Sequence, residues 1–426
     1  MKNLYVYFAI CILMITSNIL LGQSYIKIDA SFYSPVLDEV RMIDVYLPGD
    51  YYVNTQQEYA TIYYLHSLGG DQNEGNQVAM YYYYQHDQDT NITSPAAIFV
   101  CPDGSSEPYL GSWYTNSALN GNYEDYIMQD VLGFIEDNFR AIKDKYFRFV
   151  GGHSMGGLGA SNVCTRDPYQ FRACISSSSA MTVWAEGLIP WRDLCYQEHG
   201  SYNISYSGFY SKALISLCGA VSPNLNIQPL QVELPFDTLG NFEDTVLNKW
   251  KVYDFSSRVK NLPDENELSW FLICGNNDEM AIYPTYEIFE DSLDAYDIGY
   301  DHRYFDGDHQ FHVQSWVDGL SWMDSIINQS FSSMGINDIA QAKLKFNVYP
   351  NPVKDQINIT YKISESSNIK VVLYDIQGRE IIELKNRFHQ AGEYNMNYNF
   401  SNINSGMYFI SLQTVRKIIT KKLVIQ

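Results

Sequence analysis

The stretch Tyr146-Phe147-Arg148-Phe149-Val150-Gly151-Gly152-His153-Ser154-Met155-Gly156-Gly157-Leu158-Gly159-Ala160 decides the fold. Tyr146 to Val150 is aromatic and β-branched, the composition of a buried strand. It runs without a linker into Gly152-His153-Ser154-Met155-Gly156, which fits Gly-x-Ser-x-Gly. Behind it, residues 157–164 are small and apolar, suited to a helix packed closely on a sheet. Strand, sharp turn and helix form the context of a nucleophile elbow, in which the serine is lifted to the top of the sheet. The glycines have a physical task, because the turn brings backbone segments too close for side chains. Ser154 is the expected nucleophile, and the N–H of Met155 faces the oxygen that becomes negative when a carbonyl is attacked.

Working outward, two further strand-to-turn junctions supply partners. Leu272-Ile273-Cys274-Gly275-Asn276-Asn277-Asp278 ends a strand in a polar turn. That ending puts Asp278 at the carboxyl edge of a sheet, the place for the acid that orients a histidine. Glu279 is a neighbour able to do the same. Tyr304-Phe305-Asp306-Gly307-Asp308-His309 repeats the pattern and offers His309 as the base, with His312 as its competitor. The order Ser154, Asp278, His309 is the one this architecture uses. Asp308, His309 and His312 lack further ligands at metal-site spacing, so neither a metal nor a cofactor is expected. The second oxyanion donor is expected after an early strand, in Tyr64-Leu65-His66-Ser67-Leu68-Gly69-Gly70. Leu68 N–H is assigned there, with Ser67 as the alternative.

The surrounding chain alternates strands and helices. Residues 25–32 and 41–47 read as an antiparallel pair; 60–65, 96–101, 270–274 and 300–305 read as further strands, and 123–140 as a helix. The predicted class is α/β, a doubly wound and mostly parallel sheet, with a small all-β sandwich at the carboxyl end. Residues 177–265 break the rhythm and read as an insertion covering the site. It is rich in Ser and Asn and carries Trp184, Trp191, Tyr196, Tyr202, Tyr206 and Tyr210.

Residues 1–22 read as a signal peptide: Lys2, an apolar run, then Gly22 at a cleavage position. A membrane anchor is the other reading of that run. Residues 23–336 hold 15 basic and 42 acidic side chains, a net of −27, whereas residues 337–426 hold 12 and 7, a net of +5. The larger segment therefore repels nucleic acid and anionic membrane surfaces. The charge change marks the domain boundary: a catalytic domain over 23–330, a linker over 331–344 and a sandwich over 345–426. Of seven cysteines, Cys11 falls in the signal. Cys101, Cys174 and Cys274 lie in apolar strands as small core residues, and Cys195 with Cys218 is the expected disulfide.

Several separated blocks resemble the esterase D and feruloyl esterase-like branch of α/β-hydrolases, near carbohydrate esterase family 1. They are Val45-Tyr46-Leu47-Pro48, residues 65–70, Pro102-Asp103-Gly104, Ser112-Trp113-Tyr114-Thr115-Asn116-Ser117, the elbow, and the turns at 275–278 and 307–309. The resemblance implies that Trp113 and Tyr114 are pocket walls; ordinary aromatic packing is the other reading. The chain departs from its relatives in reading His66-Ser67 where they often have His-Gly. Residues 345–426, opening Asn347-Val348-Tyr349-Pro350-Asn351-Pro352 and closing Lys421-Lys422-Leu423-Val424-Ile425-Gln426, resemble the sorting domain of the type IX secretion system. That resemblance implies the secretion machinery as partner.

The expected protein is a secreted or cell-surface serine ester hydrolase acting on acetyl, feruloyl or related esters of plant polysaccharides. The alternatives are an acyltransferase of the mycolyltransferase type and a glycan-binding protein on a hydrolase fold.

Overall fold

The computed structural model describes residues 25–182, 185–262, 267–333, 345–363, 367–375, 378–390, 392–414 and 418–426. The expected signal peptide, Trp184 and most of the expected linker lie outside the described residues.

The first region is built on an eight-stranded sheet. Its strands are β1 (Tyr25–Ser34), β2 (Glu39–Pro48), β3 (Thr61–Leu65), β4 (Ile98–Pro102), β5 (Arg148–His153), β6 (Ala173–Ser177), β7 (Ser269–Gly275) and β8 (Tyr300–Phe305). The order is β1-β2-β4-β3-β5-β6-β7-β8. β1 pairs antiparallel with β2, and β2 with β4; every later pairing is parallel. β3, β4 and β6 are buried along their whole length, so they appear in the sequence as unbroken apolar runs. β8 closes one edge, and there Arg303 pairs with Asp301 and Asp318. Charges on an edge strand discourage pairing with another chain.

The helices are α1 (Gly75–Gln88), α2 (Leu132–Asn138), α3 (Met155–Arg166), α4 (Ala185–His199), α5 (Tyr210–Val221), α6 (Asp244–Trp250), α7 (Tyr283–Ala295) and α8 (Val313–Ser333). The stretch read as one helix over 123–140 is divided: Tyr126–Val131 winds as a π-helix ahead of α2. α3 packs against β5 and β6, which fixes the site's central turn. Between β6 and β7, the insertion is mainly helical, carrying α4, α5 and α6.

The expected Cys195–Cys218 disulfide is not formed; all six described cysteines are free and buried. Cys195 hydrogen-bonds Ser211 and Cys218 hydrogen-bonds Ser222. Cys101, Cys174 and Cys274 lie in β4, β6 and β7 as apolar fillers.

The second region is all antiparallel. Its strands are β9 (Lys345–Tyr349), β10 (Gln356–Ile363), β11 (Ser367–Tyr374), β12 (Glu380–His389), β13 (Gly392–Asn399), β14 (Gly406–Gln413) and β15 (Ile418–Ile425). They form two sheets, β9-β10-β13 and β12-β11-β14-β15. Alternating side chains such as Ile357, Ile359, Val371, Leu373, Ile410 and Leu412 make the shared core.

Candidate active site

The elbow stands between β5 and α3. A Cβ on Gly156 would lie 1.8 Å from the Leu65 carbonyl oxygen, and one on Gly152 would lie 2.3 Å from the Gly156 carbonyl carbon. Only glycine fits either place. Ser154 is held at φ 55° and ψ −117°, a left-handed conformation that a side-chain-bearing residue rarely adopts. Its N–H donates to the Ser177 carbonyl at 2.8 Å, pinning the turn to β6. Met155 opens α3, so its N–H is among those that a helix leaves without an internal acceptor.

The turns after β7 and β8 are laced together. Asn276 N–H donates to the Phe305 carbonyl at 2.9 Å and Asn277 N–H to the Gly307 carbonyl at 3.0 Å. The lacing brings Asp278 and His309 into contact. His309 Nδ1 donates to Asp278 Oδ2 at 2.8 Å, and His309 Nε2 lies 2.9 Å from Ser154 Oγ. The Asp278 side chain is fully buried, and its Oδ1 accepts Met280 N–H at 2.8 Å. Glu279 has a different place from the one open to it in the sequence. Its carboxylate accepts the His309 backbone N–H at 2.8 Å and so holds the loop rather than the ring. His312 is not brought to Ser154. It stacks on Phe305 at 4.2 Å and bonds Ser315 at 2.8 Å, at the start of α8.

His153 precedes the serine and is buried. One ring nitrogen meets Ser177 Oγ at 3.1 Å, and the ring also hydrogen-bonds the backbone of His309. Burial, and then the nearby His309 charge, push His153 down to about 3, so it stays neutral through the range in which a solvent-exposed histidine titrates.

Above the serine is a cavity of about 870 Å³. Leu68, Trp113, Trp191, Tyr206, Phe209 and Phe311 are among its walls. Trp113 stands at φ 54° with its indole N–H on Ser216 Oγ at 2.8 Å. Trp191 donates its indole N–H to the Met280 carbonyl, tying α4 to the acid turn. Tyr114 is not a pocket wall. Its left-handed backbone turns the ring inward, where it lies fully buried against Gly104 and Gly159 with its hydroxyl 3.3 Å from the His66 carbonyl. Tyr196 and Tyr202 pack on each other with ring centroids 4.7 Å apart and planes inclined at 43°, so they serve the insertion itself. Phe209, Glu74 and Lys212 also line the cavity, and none stood out in the sequence. Among the described residues no cluster of His, Cys, Asp and Glu is arranged to hold a metal. No described helix is long and apolar enough to cross a membrane.

The family model described as "Putative esterase" matches residues 34–325, and that of the secretion system C-terminal sorting domain matches residues 347–426. Esterase MT1326 and Esterase Rv1288, from two strains of Mycobacterium tuberculosis, are each 31% identical over 140 residues. The match covers 32% of this chain and 28% of the length of those relatives. The solved structure of a ferulic acid esterase superposes with a TM-score of 0.53 at 17% identity, over 73% of this chain and 100% of that one. At that identity, the likeness is one of fold.

Proposed function

The chain belongs to the esterase family, and on that premise we propose that it hydrolyses carboxylic esters through Ser154, His309 and Asp278. The observation that carries this reading is the unbroken line of hydrogen bonds from Asp278 through His309 to Ser154. Ser154 Oγ–H donates to His309 Nε2. As Oγ attacks the ester carbonyl, that proton passes to His309, and Asp278 stabilises the resulting imidazolium. The carbonyl oxygen, now negative, is held by the N–H groups of Met155 and Leu68, at the positive end of α3. The intermediate collapses, the C–O bond to the alcohol breaks, and the alcohol leaves with the proton from His309. Water then attacks the acyl-enzyme by the same route and regenerates Ser154.

Leu68 is preferred over Ser67 as second donor because Ser67 N–H already donates to the Glu74 carboxylate at 3.0 and 3.1 Å. The substrate class we assign is acetyl, feruloyl or related esters on plant polysaccharide. Trp113, Trp191, Tyr206 and Phe311 line the cavity with aromatic surface suited to an aromatic acid or a sugar ring, and the cavity volume accommodates a ligand of that size. The signal peptide and the sorting domain would deliver the enzyme to the cell surface or the medium through the type IX machinery.

The test of the reaction is hydrolysis of 4-nitrophenyl acetate by the wild type and by Ser154→Ala. Loss of nearly all turnover in a folded variant is the expected result; turnover within about tenfold of wild type would sink the assignment. The test of the substrate compares kcat/KM on acetylated or feruloylated xylan fragments with that on long-chain triglyceride. Preference for the triglyceride, with activation at the lipid–water interface, would overturn the substrate class.

A further inference from the structure

The turn at residues 67–70 has four backbone N–H groups, and three of them are engaged. Ser67 N–H donates to Glu74 at 3.0 Å, Gly69 N–H to the Leu110 carbonyl at 3.2 Å, and Gly70 N–H to the Ser67 carbonyl at 3.0 Å. Among the described residues, Leu68 N–H is the one left without a partner. Its direction is set by the peptide it belongs to. In a trans peptide, the N–H points opposite to the carbonyl of the preceding residue. That carbonyl, on Ser67, lies 2.8 Å from His66 Nδ1 as well as accepting from Gly70. His66 Nε2 accepts Gly104 N–H at 2.8 Å, which leaves the ring proton on Nδ1 to be donated to Ser67.

The other side of Ser67 is held by Glu74. Its Oε1 accepts from the Ser67 hydroxyl at 2.9 Å and from the Tyr64 hydroxyl at 2.9 Å, besides Ser67 N–H. The Ser67 hydroxyl lies also 3.3 Å from the carbonyl of His153, the residue before the nucleophile. A glycine at 67 could make neither hydroxyl contact. We propose that Glu74 and His66 are positioning residues that clamp Ser67 from two sides and thereby aim Leu68 N–H at the developing oxyanion. Ser67 serves as the tie between that turn and the elbow. Glu74 and His66 touch no reacting atom; they act through Leu68.

The proposal rests on the reading of Ser154 as nucleophile, so Ser154→Ala is run beside it. The probes are 4-nitrophenyl acetate for turnover and phenylboronic acid, which forms an anionic tetrahedral adduct on the serine, for the oxyanion site. Glu74→Ala should lower kcat by about 10- to 100-fold, leave KM within about threefold, and weaken phenylboronic acid by the same factor as kcat. Glu74→Gln keeps an acceptor for Ser67 and should restore kcat to within about fivefold of wild type. The acid limb of the pH profile should stay where it is in both, because the base is untouched. If Glu74→Ala does not fold, Ser67→Gly carries the test, with an expected loss of about 3- to 10-fold in kcat and the same loss of boronate affinity. A rise in KM with unchanged kcat would make Glu74 a substrate contact and overturn the clamp. Unchanged kcat and boronate affinity in Glu74→Ala, beside an inactive Ser154→Ala, would overturn the clamp alone. Full activity in Ser154→Ala would bring down both readings together.

Discussion

Strands β3, β4 and β6 are apolar from end to end because both of their faces are covered, whereas β10 alternates, with Ile357, Ile359, Tyr361 and Ile363 buried. The contrast extends to what is buried with them. Residues 25–333 enclose Asp44, Glu124, Asp254, Asp278 and Asp324 and the imidazoles of His66 and His153. Among the described residues, the interior of 345–426 holds no carboxylate; its buried polar groups are Ser367, His389 and Ser411. A buried ionisable group is tolerated only with its partners in place, so such groups collect where a precise arrangement is used. Of the groups buried in the first region, Asp278 and His153 stand at the candidate site, whereas the second region fills its interior with the apolar side chains its two sheets share.

The largest expected effect tests where the chemistry is. Ser154→Ala should lower kcat/KM on 4-nitrophenyl acetate by about four orders of magnitude or more, and His309→Ala by a similar amount. His312→Ala should stay within about threefold, since its ring packs on Phe305 and bonds Ser315. The reverse ranking of the two histidines would move the base to His312.

The second effect is on stability and has a sign. His153 has a folded value of about 3 against an ordinary 6.5. Between those values, the unfolded chain binds a proton that the folded chain does not, so stability rises with pH and is lost as pH falls from 6.5. Asp103 adds the same sign lower down. Burial alone would raise it, but the hydrogen bond from Ser105 N–H and the Arg41 charge outweigh this and hold it below the ordinary 3.8. All seven tryptophans lie before residue 337, so urea unfolding followed by their fluorescence reads the first region. Its midpoint should fall from pH 6.5 to 4, and His153→Asn should flatten that fall. A midpoint independent of pH in the wild type would break the comparison.

Third, Ile410→Ala should cost the second region about 2–5 kcal/mol, because Ile410 is fully buried in the sandwich core. Turnover should not change, and loss of secreted protein by immunoblot with kcat intact is the expected pair of results. The smallest effect is that of deleting residues 337–426. Purified enzyme should keep kcat within about twofold while its release from the cell stops. A soluble, folded truncation that cannot hydrolyse 4-nitrophenyl acetate would tie the two regions into one site.

The parts of the molecule visible in sequence are those written locally. A buried strand, a glycine and a polar turn follow one another at residues 148–156, 270–278 and 300–309, so each announces its own place on the sheet edge. The parts that were not visible depend on what a residue meets far along the chain. Glu74 reads as one acid among many until it meets Ser67 and Tyr64. Glu279 could have held the histidine ring, and only the fold directs it to the His309 backbone instead. Of the two readings open to Tyr114, the structure takes packing, and nothing in its neighbours' chemistry tells that its backbone lies at φ 51° and turns the ring beneath the site. Cys195 and Cys218 were misjudged for a related reason. Their spacing permits a bridge, but the fold gives each thiol a serine hydroxyl as partner instead, Ser211 for Cys195 and Ser222 for Cys218.

Those cysteines leave a problem of timing. Six thiols, each buried in the folded chain, have no exposed sulfur for an oxidant to reach. In the unfolded chain all six are open, and six cysteines allow about fifteen complete pairings, none of which the finished structure uses. Wherever the chain folds under oxidising conditions, burial of Cys101, Cys174 and Cys274 in the central sheet closes three of the six to reaction as soon as the sheet forms. In the folded protein it is burial, and no cross-link among the described residues, that keeps these thiols from pairing.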